Sequence, residues 1–179
     1  MTEQLKSVIT LAGLKAINAA QISGIKGKIT HLAIGDSDGV SYNASRYQTG
    51  LKNEKMRVEI VEASSFDQTF LVGALFEGGN ENFIVNEISA ILEDGTTFAI
   101  WANEGDALAE MFSHQNLLLQ QQITITSVDA DNIEIVTIES DFFHLNVGMF
   151  ASLATASLTN ILATLNNTHA RHVEEGLVL

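Results

Sequence analysis

The sequence contains no cysteine and no proline. Without thiols neither a disulfide framework nor thiolate chemistry is available, so stability outside a cell has to come from packing and assembly. Average proline usage of about 5% would supply roughly nine in a chain of 179 residues. Turns therefore rest on Gly, Asn and Asp, as at Asp38-Gly39, Gly78-Gly79 and Asp94-Gly95, where a positive φ costs little. Cations are scarce too, with 9 Lys plus Arg against 22 Asp plus Glu and a formal charge of −13. Such a chain repels phosphate backbones, so nucleic acid is not an expected partner. No apolar run of membrane-spanning length and no basic leader with a small-residue cleavage site are found, which predicts synthesis and assembly in the cytoplasm without membrane insertion.

Hydrophobic residues make up 46% of the chain and charged residues 17%, enough apolar surface to build a core. A chain of this length suits one domain plus an appendage. Residues 5 to 22 carry apolar side chains at three- and four-residue spacing and predict a helix, ended by Ser23-Gly24. Lys28 to Ile34 reads as a strand closed by the turn Gly35 to Gly39. After a polar loop at about 41 to 50 come four apolar segments, roughly 56 to 62, 69 to 76, 83 to 92 and 97 to 102. In the third, Phe83, Val85, Glu87, Ser89 and Ile91 share one face and Ile84, Asn86, Ile88, Ala90 and Leu92 the other, with the Ile88 face expected to be the more buried. Asp94-Gly95 joins this segment to the next as a hairpin. Residues 104 to 115 fit a short helix or an irregular loop. Leu117 to Val128 and Ile133 to Ile138, separated by Asp129 to Asn132, predict a second hairpin.

From Asp141 the period changes. Val147, Ala151, Ala154, Leu158, Ile161, Leu165 and Thr168 alternate steps of four and three, the spacing of a coiled-coil seam. Burying each Leu or Ile of such a seam is worth about 1.5 to 3 kcal/mol, a drive toward self-association unless the helix folds back on its own sheet. The expectation is thus an α+β protein: an N-terminal helix packed with an antiparallel sheet in residues 1–139, and a C-terminal helix in 140–179 starting a coiled coil. Val147, Ala151, Ala154, Leu158, Ile161 and Leu165 would form the interface between copies.

Four segments resemble the N-terminal domain of the phage tail-collar fibre family of contractile-tailed phages. They are the opening helix leading into Ile29 to Gly39, the stretch Leu51-Lys52-Asn53-Glu54-Lys55-Met56-Arg57, the hairpin segment Phe83 to Gly95, matched at Glu87, Ile88, Asp94 and Gly95, and the following Phe98 to Asn103. Asn86 stands where the family usually has Arg and Ser89 where it has Gly, and the family's Lys-Pro stretch is missing around 104 to 112. The resemblance implies a virion tail component, assembled in the host and acting outside it. It would attach a tail fibre to baseplate proteins, the C-terminal helix starting the trimeric coiled coil of a homotrimer, with host recognition at a distal tip further along a longer fibre or on a separate tip protein. It implies no cofactor and no enzyme activity. The alternative, a receptor- or carbohydrate-binding module, would need exposed aromatics to stack on sugar, and the chain has one Trp and two Tyr.

Several residues invite a catalytic or metal-binding reading. Asp36-Ser37-Asp38-Gly39 has carboxylates two apart, as a calcium loop does, but Tyr47 occupies the place of the Glu that would complete an EF-hand, so a structural turn is favoured. His169 and His172 could ligate a metal but lack a third ligand, and His31 reads as a packed strand residue. Glu87, among apolar neighbours, could be a desolvated general acid; a structural carboxylate accepting hydrogen bonds is favoured. No Gly-x-Ser-x-Gly elbow, phosphate loop or His-Glu-x-x-His motif is present.

Overall fold

The computed structural model describes residues 6–138 other than 106 and 127. Its first strand, β1, is only Val8–Ile9. Thr10 then caps the helix α1, Leu11–Ile22: its side-chain oxygen accepts from the Gly13 amide at 2.8 Å while its hydroxyl donates to the Thr97 carbonyl. One threonine thus starts the helix and pins it to the sheet. Strands β2 (Gly27–Gly35), β3 (Glu54–Glu59), β4 (Glu62–Phe66) and β5 (Thr69–Phe76) follow. After them come β6 (Phe83–Val85), β7 (Glu87–Leu92), β8 (Thr97–Trp101), β9 (Ala109–Met111), β10 (Leu117–Thr124) and β11 (Ile133–Ile135).

These strands form a six-stranded sheet A in the order β1-β8-β7-β2-β11, with β3 also on β2. A three-stranded sheet B has the order β10-β5-β4, and β6 pairs with β9. All pairings are antiparallel except β11 on β2. The core lies between the two sheets. Alternate residues of β5, namely Phe70, Val72, Ala74 and Phe76, meet Leu119 and Ile123 of β10 and Leu32, Ile34, Ile88, Ala90, Phe98 and Trp101 of sheet A. The opposite face of sheet A is also buried. There Ile100 and Ala102 gather with Tyr42, Ala44 and Leu51, all three from the irregular segment between β2 and β3.

The expected α+β class is overturned. Among the described residues the protein is mainly antiparallel β with one short helix, of which only Gly13 and Ile17 are buried, too little to make a helical layer. The apolar spacing that suggested a helix from residue 5 counted Val8 and Ile9. Those β-branched residues instead pair with Ile100 and Ala99 of β8, because a free sheet edge suits them better than a helical turn. The predicted C-terminal helix, its coiled coil and the interface residues Val147, Ala151, Ala154, Leu158, Ile161 and Leu165 lie outside the described residues.

Three further expectations change. The second hairpin does not form: β10 lies antiparallel to β5, whereas β11 lies parallel to β2, so the turn at 129–132 joins two different sheets. The segment 83 to 92 breaks at Asn86 into β6 and β7, and β7 is buried on both faces rather than chiefly on that of Ile88. The open choice for 104 to 115 resolves into the short strand β9. The hairpin around Asp94-Gly95 forms as expected, with Gly95 at φ 86° and the Thr96 amide donating to Asp94.

Gly13 lets the helix reach the sheet, since a Cβ there would sit 2.7 Å from the Phe98 Cα and 2.9 Å from its ring. Gly13→Val is therefore expected to destabilise the domain by about 1 to 3 kcal/mol through overpacking. A lower urea midpoint at unchanged m-value would report it, and an unaltered midpoint would mean that the helix does not bear on β8.

Candidate functional site

The densest polar arrangement lies on the second buried face of sheet A. Residues 40–53, of which about 41 to 50 were predicted only as a polar loop, run across that face as a strap without regular structure. Glu87, the first residue of β7, is fully buried beneath it. The Tyr42 hydroxyl and the Lys52 amide donate to its Oε2 at 2.6 and 2.8 Å, and the Asn53 amide donates to its Oε1 at 2.8 Å. A carboxylate can accept all three, because its two oxygens offer about four lone-pair directions. Gln48 donates to the Tyr42 oxygen at 3.0 Å, and the Lys52 ammonium sits 3.6 Å over the Tyr42 ring. That last contact places a cation on the electron-rich face of the aromatic.

Elsewhere the strap is tied down by the Ala44 amide donating to the Ala102 carbonyl, the Leu11 amide donating to that of Arg46, and the Glu104 amide donating to the Asn43 side chain at 3.2 Å. Gly35 makes room for the carboxylate, since a Cβ there would collide with the Asn53 carbonyl oxygen and with Glu87 Oε1. Burial pushes the Tyr42 hydroxyl far above its ordinary value of 10.0, helped by the hydrogen bond to Glu87 and its negative charge and opposed by Gln48.

A second set of bonds adjoins the first. Ser37 and Asp38 take positive φ, 46° and 55°, in a tight turn before β3. The Asp36 Oδ1 accepts from the Asp38 amide at 3.0 Å and from the Asn53 side-chain amide at 2.8 Å, while the same Asn53 nitrogen reaches Asp38 Oδ1 at 2.9 Å. Lys55 approaches the other Asp36 oxygen at 3.2 Å. Burial alone would raise the Asp36 carboxyl, but the Asp38 amide, Lys55 and Asn53 outweigh it and hold the group below its usual 3.8. Asn86 closes the circuit by donating its side-chain amide to the Asp36 carbonyl at 2.9 Å.

The two carboxylates of the Asp36 to Gly39 turn are thus engaged in holding that turn and Asn53. Glu87 has no exposed surface, and both its oxygens accept hydrogen bonds, so it fastens the strap rather than offering a proton to a substrate. His31 is half-buried in β2 beside the Thr30 hydroxyl at 2.7 Å, and His114 occupies an exposed turn at φ 59°. His144, His169 and His172 fall outside the described residues. Tyr42 is the participant that the sequence did not disclose. Its only signal was an aromatic side chain in a polar stretch, one it shares with Tyr47.

Three separate stretches of sequence meet in this knot: the turn after β2, the Leu51 to Arg57 stretch and the start of β7. Residues 1–155 match the family described as phage tail-collar fibre protein, N-terminal. The chain belongs to that family. It is therefore a structural component of a phage tail fibre. Neither the curated proteins nor the solved structures gave a match. In this tail-fibre domain the segments that carry the resemblance bring Asp36 and Asp38, Lys52 and Asn53, and Glu87 to the knot, while Tyr42 and Gln48 come from the strap between them. Asn86, where the family usually has Arg, uses its short amide to hold the Asp36 carbonyl.

Glu87→Gln keeps the size of the side chain but turns an amide donor toward one set of donors. An unpaired buried donor costs about 1 to 3 kcal/mol, and a loss in that range or somewhat above it is expected from urea unfolding. Unchanged stability would show that the strap is held without Glu87. For Tyr42 the sign follows from its raised value: the folded chain keeps a proton that the unfolded chain releases above 10.0. Its contribution is whole below that pH and is lost as pH rises beyond it. Urea midpoints measured between about pH 8 and pH 11 should fall at the alkaline end in the wild type and fall less steeply in Tyr42→Phe. Parallel curves would remove Tyr42 from the alkaline response.

Proposed function

We propose that this domain is the particle-proximal end of a tail fibre, attaching it to the baseplate of a contractile phage tail or tail-like particle. Copies would assemble in the host cytoplasm and act outside the cell as a homotrimer. A distal fibre or tip protein, or a later part of a longer fibre, would contact the host. The observation that carries this reading is the extent of the family match. Residues 1–155 take in the whole described β domain and continue into the apolar positions Val147, Ala151 and Ala154. Together with Leu158, Ile161 and Leu165, these are assigned to the contact between copies, since apolar side chains at such spacing gain about 1.5 to 3 kcal/mol each for the larger ones when buried. The carbohydrate-binding alternative gains no support from the surface. Trp101 and Tyr42 are buried, which leaves Tyr47, 77% exposed, as the remaining Trp or Tyr to stack on a sugar.

Light scattering of the purified full chain is expected to give about three times 19.3 kDa; a clean monomer at micromolar concentration would sink the trimer. Leu158→Asp combined with Leu165→Asp is expected to lower that mass, because a charge placed in an apolar contact is desolvated. Unaltered mass would move the contact elsewhere on the chain. Electron microscopy of particles labelled on this protein should place the label at the baseplate, and labelling along the sheath or at fibre tips would refute attachment there.

A further inference from the structure

Among the described residues, sheet B ends in an open edge on both sides: β10 and β4 each pair with β5 and with no other strand. Open edges are a hazard that proteins usually blunt with a charged side chain, a proline, a bulge or a very short strand. β10 has none of these. It runs for eight residues in unbroken register with β5, from Leu117 opposite Phe76 to Thr124 opposite Thr69. No Asp, Glu, Lys or Arg occurs between Glu110 and Asp129. On the other side, Ala63, Ser64, Ser65 and Phe66 of β4 are all exposed, and Phe66 shows 86% of its surface. The outer face between these edges is partly apolar, with Leu71 and Leu118 at 39% and 40% exposure.

Two features select the occupant. First, the chain carries a net charge of −13, so copies repel except where they meet on neutral surface, and Ala63 to Phe66 and Leu117 to Thr124 are both uncharged. Second, β10 and β4 are each antiparallel to β5, so they point the same way. A rotation about an axis along the strands brings the β10 edge of one copy to the β4 edge of the next without reversing either. Repeating that contact closes a ring, as head-to-tail interfaces do when the rotation closes. We propose that β10 of one copy pairs in parallel with β4 of its neighbour, so that three copies join their sheets around the fibre axis. This rests on the trimer reading above and deepens it. The β domains themselves, and not only the C-terminal apolar positions, hold the copies together. Pairing β10 with a second β10 would need a two-fold axis and would leave every β4 edge open.

The absence of native cysteine makes a direct test clean. Within one chain β4 and β10 are separated by β5, about 9.6 Å at two strand spacings, beyond the roughly 7 Å over which a disulfide can form. Full-length Ser64→Cys with Gln120→Cys, or Ser64→Cys with Thr124→Cys, is therefore expected to give disulfide-linked dimers and trimers on non-reducing gels, while each single substitution stays unlinked. The backbone amides of 117–124 that point away from β5 should also exchange about tenfold or more slowly in the wild type than in Leu158→Asp with Leu165→Asp. A trimer by light scattering that shows no linked species and fast exchange along β10 would overturn the edge contact and leave the trimer standing. A linked dimer from Gln120→Cys alone would overturn it in favour of a two-fold contact. A wild type that is monomeric and exchanges fast along β10 would overturn both readings.

Discussion

The central constraint on this domain is that sheet A is buried on both faces while only one face has a second sheet to cover it. The other is closed by residues 40–53, a segment with no helix or strand of its own. Covering a sheet with irregular chain is costly, because every backbone amide taken from water needs a new partner. Glu87 meets part of that need from below, accepting from two consecutive amides, those of Lys52 and Asn53, and from the Tyr42 hydroxyl. A neutral side chain of the same length offers one acceptor oxygen where the carboxylate offers two, and so could not take up both amides and the hydroxyl equally well. Once the strap is fixed, Tyr42, Ala44 and Leu51 can cover Ile100 and Ala102.

This explains why three distant stretches of the chain share one polar knot. The turn at 36–39 fixes where the strap leaves β2, Asn53 marks where it arrives at β3, and Glu87 sits on β7, the neighbour of β2 on its other side. Asn53 belongs to both halves, through its backbone to Glu87 and through its side chain to Asp36 and Asp38. The segments that resemble the tail-collar fibre family thus have a physical reason to occur together. Each supplies donors or acceptors that the others require if the second face of sheet A is to be closed.

What the sequence revealed follows the same division between local and distant causes. The β7–β8 hairpin was legible because its turn residues lie between its strands, and β5 was legible as an apolar segment because composition and flanking turns are local. The partners of β10 and β11 were not, since Asp129 to Asn132 signal a turn equally well whether the flanking strands pair with each other or, as here, with β5 and β2. Val8 and Ile9 fitted a helical spacing and were captured by the edge of β8. The strap was the least legible of all. Its order comes from hydrogen bonds to residues more than thirty positions away, and its own sequence shows mainly polarity around two tyrosines, Tyr42 and Tyr47. Glu87 could be singled out as a structural carboxylate from its apolar surroundings, but its donors could not.

The placement of β11 has a mechanical consequence for a fibre component. Tension reaching this domain from the chain beyond Ile138 would act first on 133–138. That segment lies parallel to β2 and is held further by the Val136 amide on the Ile29 carbonyl and the Ile138 amide on the Ile60 carbonyl. β2 is at the same time bonded to β7 and β3, so the load would pass into the middle of sheet A rather than to a free edge. At the other end of the domain β1 is held by β8, and Thr10 ties the helix to Thr97. With no disulfide available, resistance to pulling has to come from such long-range pairings, which must break together before the core opens. A fold closed by contacts between distant segments is slow to form, and in an attachment part those same contacts would resist separation under load.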